Sequence, residues 1–218
     1  MDKPPGMTGT GFGAYSPPGT TARRSRPLTS TTAKLVAGRD CGNCTLCCEL
    51  FDVPVLDKPA GMLCPNCDGK GCVIHATRPQ TCRDFFCHYR LDADVPEHWR
   101  PDRSRMVIRA DDTGVRILVF VDGKSPDAWR AEPHYADLKA WAANRLKAGK
   151  QLHVRVGART IVVLPDRDVD LGEVGNRVIV TEQRWSMQHG SRLEFELLDP
   201  DDPRVRGAVT EDGSASPR

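Results

Sequence analysis

The chain has 218 residues, of which 31 are Lys or Arg and 29 are Asp or Glu, so its formal net charge is +2. This near balance gives little support to a general role in binding nucleic acids or anionic membranes. No apolar run approaches the roughly 20 residues that span a bilayer, and the N-terminus develops no apolar stretch typical of a secretory signal. We therefore expect a cytoplasmic protein that has no membrane partner and for which nucleic acid is not an expected ligand.

In chain order, the composition divides the sequence into four parts. Residues 1–37 are rich in Pro, Gly, Ser and Thr with almost no large apolar side chains, which predicts a disordered tail. Residues 38–95 hold every cysteine and are predicted to form a small, loop-rich metal-binding domain. Residues 96–202 are predicted to form an α+β module, and residues 203–218 a flexible polar tail. The predicted fold class is therefore α+β with disordered termini.

Periodicity predicts the elements of the α+β module. Two apolar runs flank residues 111–114 and indicate a β-hairpin. Apolar residues recur at helical spacing from Tyr135 to Leu146, with Pro133 suited to the first turn and Gly149 to the C-terminal end. Alternation from Leu152 to Val156 indicates a half-buried strand that turns at residues 157–158 into a second strand over 160–164. Two further strands are predicted over 178–181 and 193–197.

All nine cysteines lie between positions 41 and 87. In a reducing compartment such a concentration favours metal binding over disulfides, and an odd number leaves any full pairing scheme with one thiol over. Several pairs are separated by two residues, which lets one tight turn bring both thiolates onto one ion. Gly and Pro within and after these gaps supply the turn conformations. The three blocks are 41–48, 64–72 and 82–87.

Residues 41–90 resemble the bacterial YkgJ-like cysteine-cluster family, a zinc- or iron-chelating domain. The residues that carry the resemblance are the C-x-x-C-x-x-C-C run 41–48, a cysteine at 64, the run 71–75 with 78–83, and a final cysteine at 87. His75 stands where the family often has an aromatic residue, and Cys67 is an extra cysteine. The resemblance implies the metal ligands Cys41, Cys44, Cys47, Cys48, Cys64, Cys72, Cys82 and Cys87. Cys67 is the less certain ligand, because it departs from the family pattern although the tight turn over residues 64–67 suits ligation.

Eight thiols suffice for two four-cysteine zinc sites, and zinc is the favoured metal because such sites need no assembly machinery or redox role. Iron, including iron–sulfur clusters, is the alternative, since these clusters also prefer all-cysteine ligation. The signature also resembles that of a flagellin lysine methylase, which implies an alternative function as an iron–sulfur redox or transferase-type enzyme. A zinc-dependent interaction module is a third hypothesis. No acid–base pair or phosphate loop points to a particular reaction.

Local patterns add four expectations around the cysteines. Pro79 is predicted to start a short helix on which Cys82 and Phe86 share a face. Adjacent Cys47 and Cys48 are expected to point apart and to serve different metals or a bridge. Arg78 and Arg83 are candidates for neutralising the thiolates or for exposed surface cations. His75 and His88 are predicted to lie outside the set of ligands.

Overall fold

The computed structural model describes residues 34–111, 113–187 and 190–205. The two predicted tails therefore lie mostly outside the described residues. At 34–37, the chain is described, and the Val36 N–H donates to the carbonyl of Arg90 at 2.9 Å. In the part of the chain that the structure describes, no helix has the length and apolar character needed to cross a bilayer.

The chain is α+β, as predicted, with five helices and seven strands among the described residues. The helices are α1 Leu46–Leu50, α2 Gln80–Asp84, α3 His88–Leu91, α4 Pro101–Ser104 and α5 His134–Lys147. The strands are β1 Met106–Ala110, β2 Arg116–Val121, β3 Gln151–Val156, β4 Arg159–Val163, β5 Asp168–Glu173, β6 Val178–Ser186 and β7 Gly190–Leu198. Short 3₁₀ turns occur at Pro54–Leu56, Glu97–Trp99 and Ala128–Arg130.

Strands β1 to β5 form one sheet in sequence order, and β6 pairs with β7 in a separate antiparallel ribbon. The β1–β2 hairpin, the β3–β4 hairpin and the β6–β7 strands confirm the predictions from alternation. The β2–β3 pair is parallel, so the chain must cross over between them, and α5 occupies this connection. Leu138 and Ala142 of α5 are buried, which confirms the amphipathic helix.

The five-stranded sheet is covered on both faces. Alternate residues such as Ile108, Val119 and Leu152 point into the core that also contains Leu138 of α5. The cysteine region packs against the opposite face. There the Phe51 ring contacts the Phe120 ring of β2 edge-on, with 4.8 Å between the ring centroids. The sheet is therefore the platform on which residues 38–95 are built.

His153 shows that the prediction of a half-buried β3 was wrong. It points to the face opposite α5, yet it is only 1% exposed, because that face is covered too. Its Nε2 lies 2.8 Å from Oε1 of Gln151, whose Nε2 donates to Thr181 of β6 at 2.8 Å. Burial, together with the cations Arg116 and Arg155, lowers the pKa of His153 to about 4.

This buried histidine predicts a loss of stability in mild acid. The folded pKa of about 4 lies below the ordinary value of about 6.5, so the unfolded chain binds more protons between these two pH values. Stability should therefore fall as the pH drops through this window, by up to about 3 kcal/mol from His153 alone. We expect His153→Gln to reduce the difference between the unfolding free energies at pH 7 and pH 4.5 by roughly 2 kcal/mol. Urea unfolding followed by circular dichroism measures it, and an unchanged difference would contradict the assignment.

Candidate metal centre

Eight of the nine cysteines line one cavity of about 810 Å³ between the cysteine region and the sheet. They come from four separate stretches of chain: Cys41, Cys44, Cys47 and Cys48; Cys64 and Cys72; Cys82; and Cys87. Val107 and Arg109 of β1 form part of the wall, and Cys67 is not among the lining residues. All nine cysteines are free thiols. The eight thiols around the cavity are those that the family resemblance implies as ligands.

The first block begins with a turn that its glycine makes possible. The Cys44 N–H donates to the carbonyl of Cys41 at 2.8 Å, which brings the two residues together. Gly42 within this turn has φ +47, a left-handed conformation that glycine adopts without strain. A Cβ at Gly42 would also lie 3.3 Å from Nη2 of Arg100. The C-G-N-C spacing therefore needs its glycine for the backbone conformation, since the tip of the flexible Arg100 side chain can shift.

Cys47 and Cys48 do not point apart as expected, because both lie on the short helix α1. Successive helical residues differ by about 100°, rather than the 180° of a strand, so neighbouring thiols can meet. Their thiols hydrogen-bond to each other. This hydrogen bond and burial raise the pKa of Cys47, and the same bond lowers the pKa of Cys48 to about 6. Lys58 and Arg78 also favour the Cys48 thiolate.

The second block is attached to the first through its backbone. The Cys64 N–H donates to the carbonyl of Cys48 at 3.0 Å, and the Cys67 N–H donates to that of Cys64 at 2.9 Å. Cys67 then pairs with Cys72 in an isolated β-bridge. The Cys67 thiol hydrogen-bonds to Cys48 and to the side chain of Thr45. Cys67 thus contacts a candidate ligand, although it is not among the residues that line the cavity.

The third block begins within the helix α2, which ends earlier than predicted. Pro79 caps α2, which runs from Gln80 to Asp84, and Phe85 is already extended. The prediction that Cys82 and Phe86 share one helical face was therefore wrong. Cys87 begins a new element as the N-cap of α3. The break between the two helices lets both cysteines face the cavity.

Positive side chains surround the thiols. Arg78 lines the cavity, and its Nη1 donates to the carbonyl of His75 at 2.9 Å. Arg83 instead binds the carbonyl of Arg78 through its Nε at 2.9 Å and is not among the lining residues. Of the two arginines considered from sequence, only Arg78 thus faces the thiols.

Sequence reasoning missed several further cations at the site, Lys58 and Arg90 among them. Lys58 is only 3% exposed, and its Nζ donates to the carbonyls of Glu49, at 2.8 Å, and Phe51. Nothing in the loop sequence signals its burial. Arg90 places its Nη1 3.4 Å from Sγ of Cys41. Its position three residues after Cys87, almost one helical turn away, is the signal that could have identified it.

Neither histidine of this region lies among the thiols as a buried ligand. His75 is exposed, although it lines the edge of the cavity. His88 lines a second, smaller cavity and lies 3.5 Å from Asp92. Burial lowers its pKa despite that carboxylate. These positions agree with a role outside the ligand set.

The chemistry of the donor set fits a thiophilic metal, since thiolates select zinc, copper(I) and iron–sulfur clusters. Within residues 34–111, 113–187 and 190–205, no three His, Cys, Asp or Glu side chains already form a set that could hold one ion. Ligation of an ion therefore requires these side chains to move closer together. Comparisons with family models, with curated proteins and with solved structures found no match to this chain.

Proposed function

We propose that this chain is a metal-binding protein of the YkgJ-like type that holds zinc, or alternatively iron, through its eight-cysteine cluster. The observation that carries the proposal is the arrival of eight free thiols, from four stretches of chain, at one cavity. All-thiolate zinc sites are closed and structural, and their binding energy contributes directly to folding. Cys41, Cys44, Cys47, Cys48, Cys64, Cys72, Cys82 and Cys87 would hold the metal.

The surrounding cations support this proposal. Several thiolates packed together repel one another, and compensating positive charges lower that cost. Arg78 and Arg90 line the cavity, and Lys58 interacts electrostatically with Cys48 and Cys64. Lys58 is buried, which is rare for a lysine and is explained by two carbonyl acceptors together with the nearby sulfurs of Cys64 and Cys48.

Metal content tests the proposal directly. We expect about two zinc ions per chain, or a comparable load of iron with acid-labile sulfide, after anaerobic purification. Native mass spectrometry and elemental analysis of the same sample measure this load, and unfolding in acid should release it. A metal-free monomer that carries four intact disulfides would contradict the proposal.

An iron–sulfur enzyme is the second candidate, because iron–sulfur clusters also take all-cysteine ligation and eight free thiols line the cavity. A brown protein that absorbs visible light would indicate an iron–sulfur cluster, whereas zinc thiolate is colourless. No particular reaction is assigned to this candidate.

A further inference from the structure

Cys67 and Cys72 lie directly opposite each other where the chain reverses over residues 66–73. The Val73 N–H donates to the carbonyl of Asn66 at 2.9 Å, and the residues just inside the pair are joined by a second backbone bond at 3.2 Å. These two bonds place the cysteines at a non-hydrogen-bonded position of an antiparallel bridge. Residues at such positions have Cα atoms about 4.5 Å apart and side chains on the same face. The backbone therefore aligns Cys67, which does not line the cavity, with Cys72, which does.

The turn between the two cysteines fixes this alignment. Asp68 accepts through Oδ1 from the N–H groups of Lys70 and Gly71, at 2.8 and 2.9 Å. Gly69 has φ +82, a left-handed conformation that glycine adopts without strain. None of these contacts uses a thiol, so the turn can keep the two cysteines opposite each other with or without metal.

An oxidant in solution can reach this pair. Residues 68–70 of the turn are exposed, and Cys67 and Cys72 are both half-buried. Cys64, which precedes Cys67 by three residues, is only 8% exposed. The Cys48 thiol also contacts Cys67, but Cys48 belongs to α1, whereas the backbone bridge aligns Cys67 with Cys72. Cys72 is therefore the partner that Cys67 is best placed to take.

We propose that Cys67 and Cys72 form a redox switch, in which a reversible disulfide between them withdraws Cys72 from the metal centre. Disulfides join residues whose Cα atoms are roughly 4.4–6.8 Å apart, a range that includes a non-hydrogen-bonded pair. Loss of one thiolate opens a closed site, so metal is released. This release, although not the disulfide itself, rests on the proposed metal binding. The ninth thiol thereby gains a role that two closed four-thiolate sites do not give it.

Hydrogen peroxide is the oxidant for which the step is written. One peroxide oxygen transfers to the sulfur of Cys67 to give a sulfenic acid, and the other leaves as water. The sulfur of Cys72 then displaces the sulfenic hydroxyl, which takes a proton and leaves as a second water while the S–S bond forms. The two sulfurs are together oxidised by two electrons, and the peroxide is reduced.

Disulfide mapping of the zinc-loaded full chain tests the pairing. After treatment with limiting hydrogen peroxide and alkylation of the remaining thiols, fragmentation of linked peptides by mass spectrometry should identify Cys67–Cys72 as the first disulfide. We expect about one equivalent of zinc to be released in parallel, measured with a colorimetric chelator. Dithiothreitol with added zinc should remove the disulfide and restore the metal load.

Matched variants of the same turn assign the release of zinc. Cys67→Ser should be purified with its zinc and should lose it to peroxide at least about tenfold more slowly than the wild-type chain. Lys70→Ser, which keeps both thiols, should respond like the wild-type chain.

Three results would overturn the switch while leaving metal binding intact. They are a first disulfide that joins Cys67 to Cys48 or Cys64, zinc release as fast in Cys67→Ser as in the wild-type chain, and loss of zinc from Cys67→Ser before any oxidation. A chain that binds no metal would instead contradict the proposed function, and disulfide mapping of that chain would still test the pairing.

Discussion

Complete removal of metal with excess chelator is expected to unfold residues 41–84 and to leave the five-stranded sheet folded. This stretch buries few large hydrophobic side chains, so its order depends on ligation, as in other small metal domains. We expect its amide protection to fall by at least about a hundredfold, as local unfolding requires little free energy once the ligands are released. Hydrogen exchange with mass spectrometry, with and without chelator, measures the change.

The sheet and its attached helices supply the internal control. Val119, Leu152 and Leu138 are each at most 1% exposed, and Cys87 is the only cysteine that packs against their core. Tyr89 belongs to this same core, so α3 should stay protected although it directly follows Cys87. If chelation removed the metal while residues 41–84 remained protected, the structural role of the metal would be disproved.

The regular elements of the second half could be predicted because each one carries its own period. The β1–β2 hairpin, α5 and the β3–β4 hairpin combine an apolar face with turn residues at their ends. Such patterns are local, and the folded structure agrees with them because the same apolar residues form the core. The long ribbon β6–β7 was recognised only at its apolar end, Val178–Thr181 with Leu193–Leu197, since its outer half is polar.

Features that depend on distant residues could not be predicted. Strand β5 contains Asp168, Asp170 and Glu173, which leave it without an apolar alternation. The parallel pairing of β2 with β3 is set by the crossover through α5 rather than by either strand. The burial of His153 follows from the covering of the second sheet face, which no single strand encodes.

The candidate site likewise has features that the sequence predicted and features that it did not. The family pattern identified the eight thiols, and they are the eight that line the cavity. The direct contact between Cys47 and Cys48 was not predicted, because adjacent side chains were expected to point apart, whereas the helix α1 lets the two thiols hydrogen-bond. Lys58 and Arg90 also escaped prediction, since a loop lysine and a helical arginine are ordinarily solvated.

Cys44→Ser is expected to lose metal, whereas Cys67→Ser should keep it. Cys44 lies within two overlapping two-residue gaps and lines the cavity, and its loss would open one four-thiolate site. We expect its metal-to-protein ratio to fall from about two to one or less, and that of Cys67→Ser to stay near two.

The comparison is informative because different observations favour the two thiols as ligands. Cys67 sits in a tight turn after Cys64 and touches the Cys48 thiol, so its local geometry alone would make it a ligand. It is nevertheless not among the residues that line the cavity, and a ninth thiol has no place in two closed four-thiolate sites. Both variants remove one sulfur from a turn, so purified identically they control for each other. Equal and complete loss of metal in both would mean that Cys67 is a ligand and that one of the eight lining cysteines is the spare thiol.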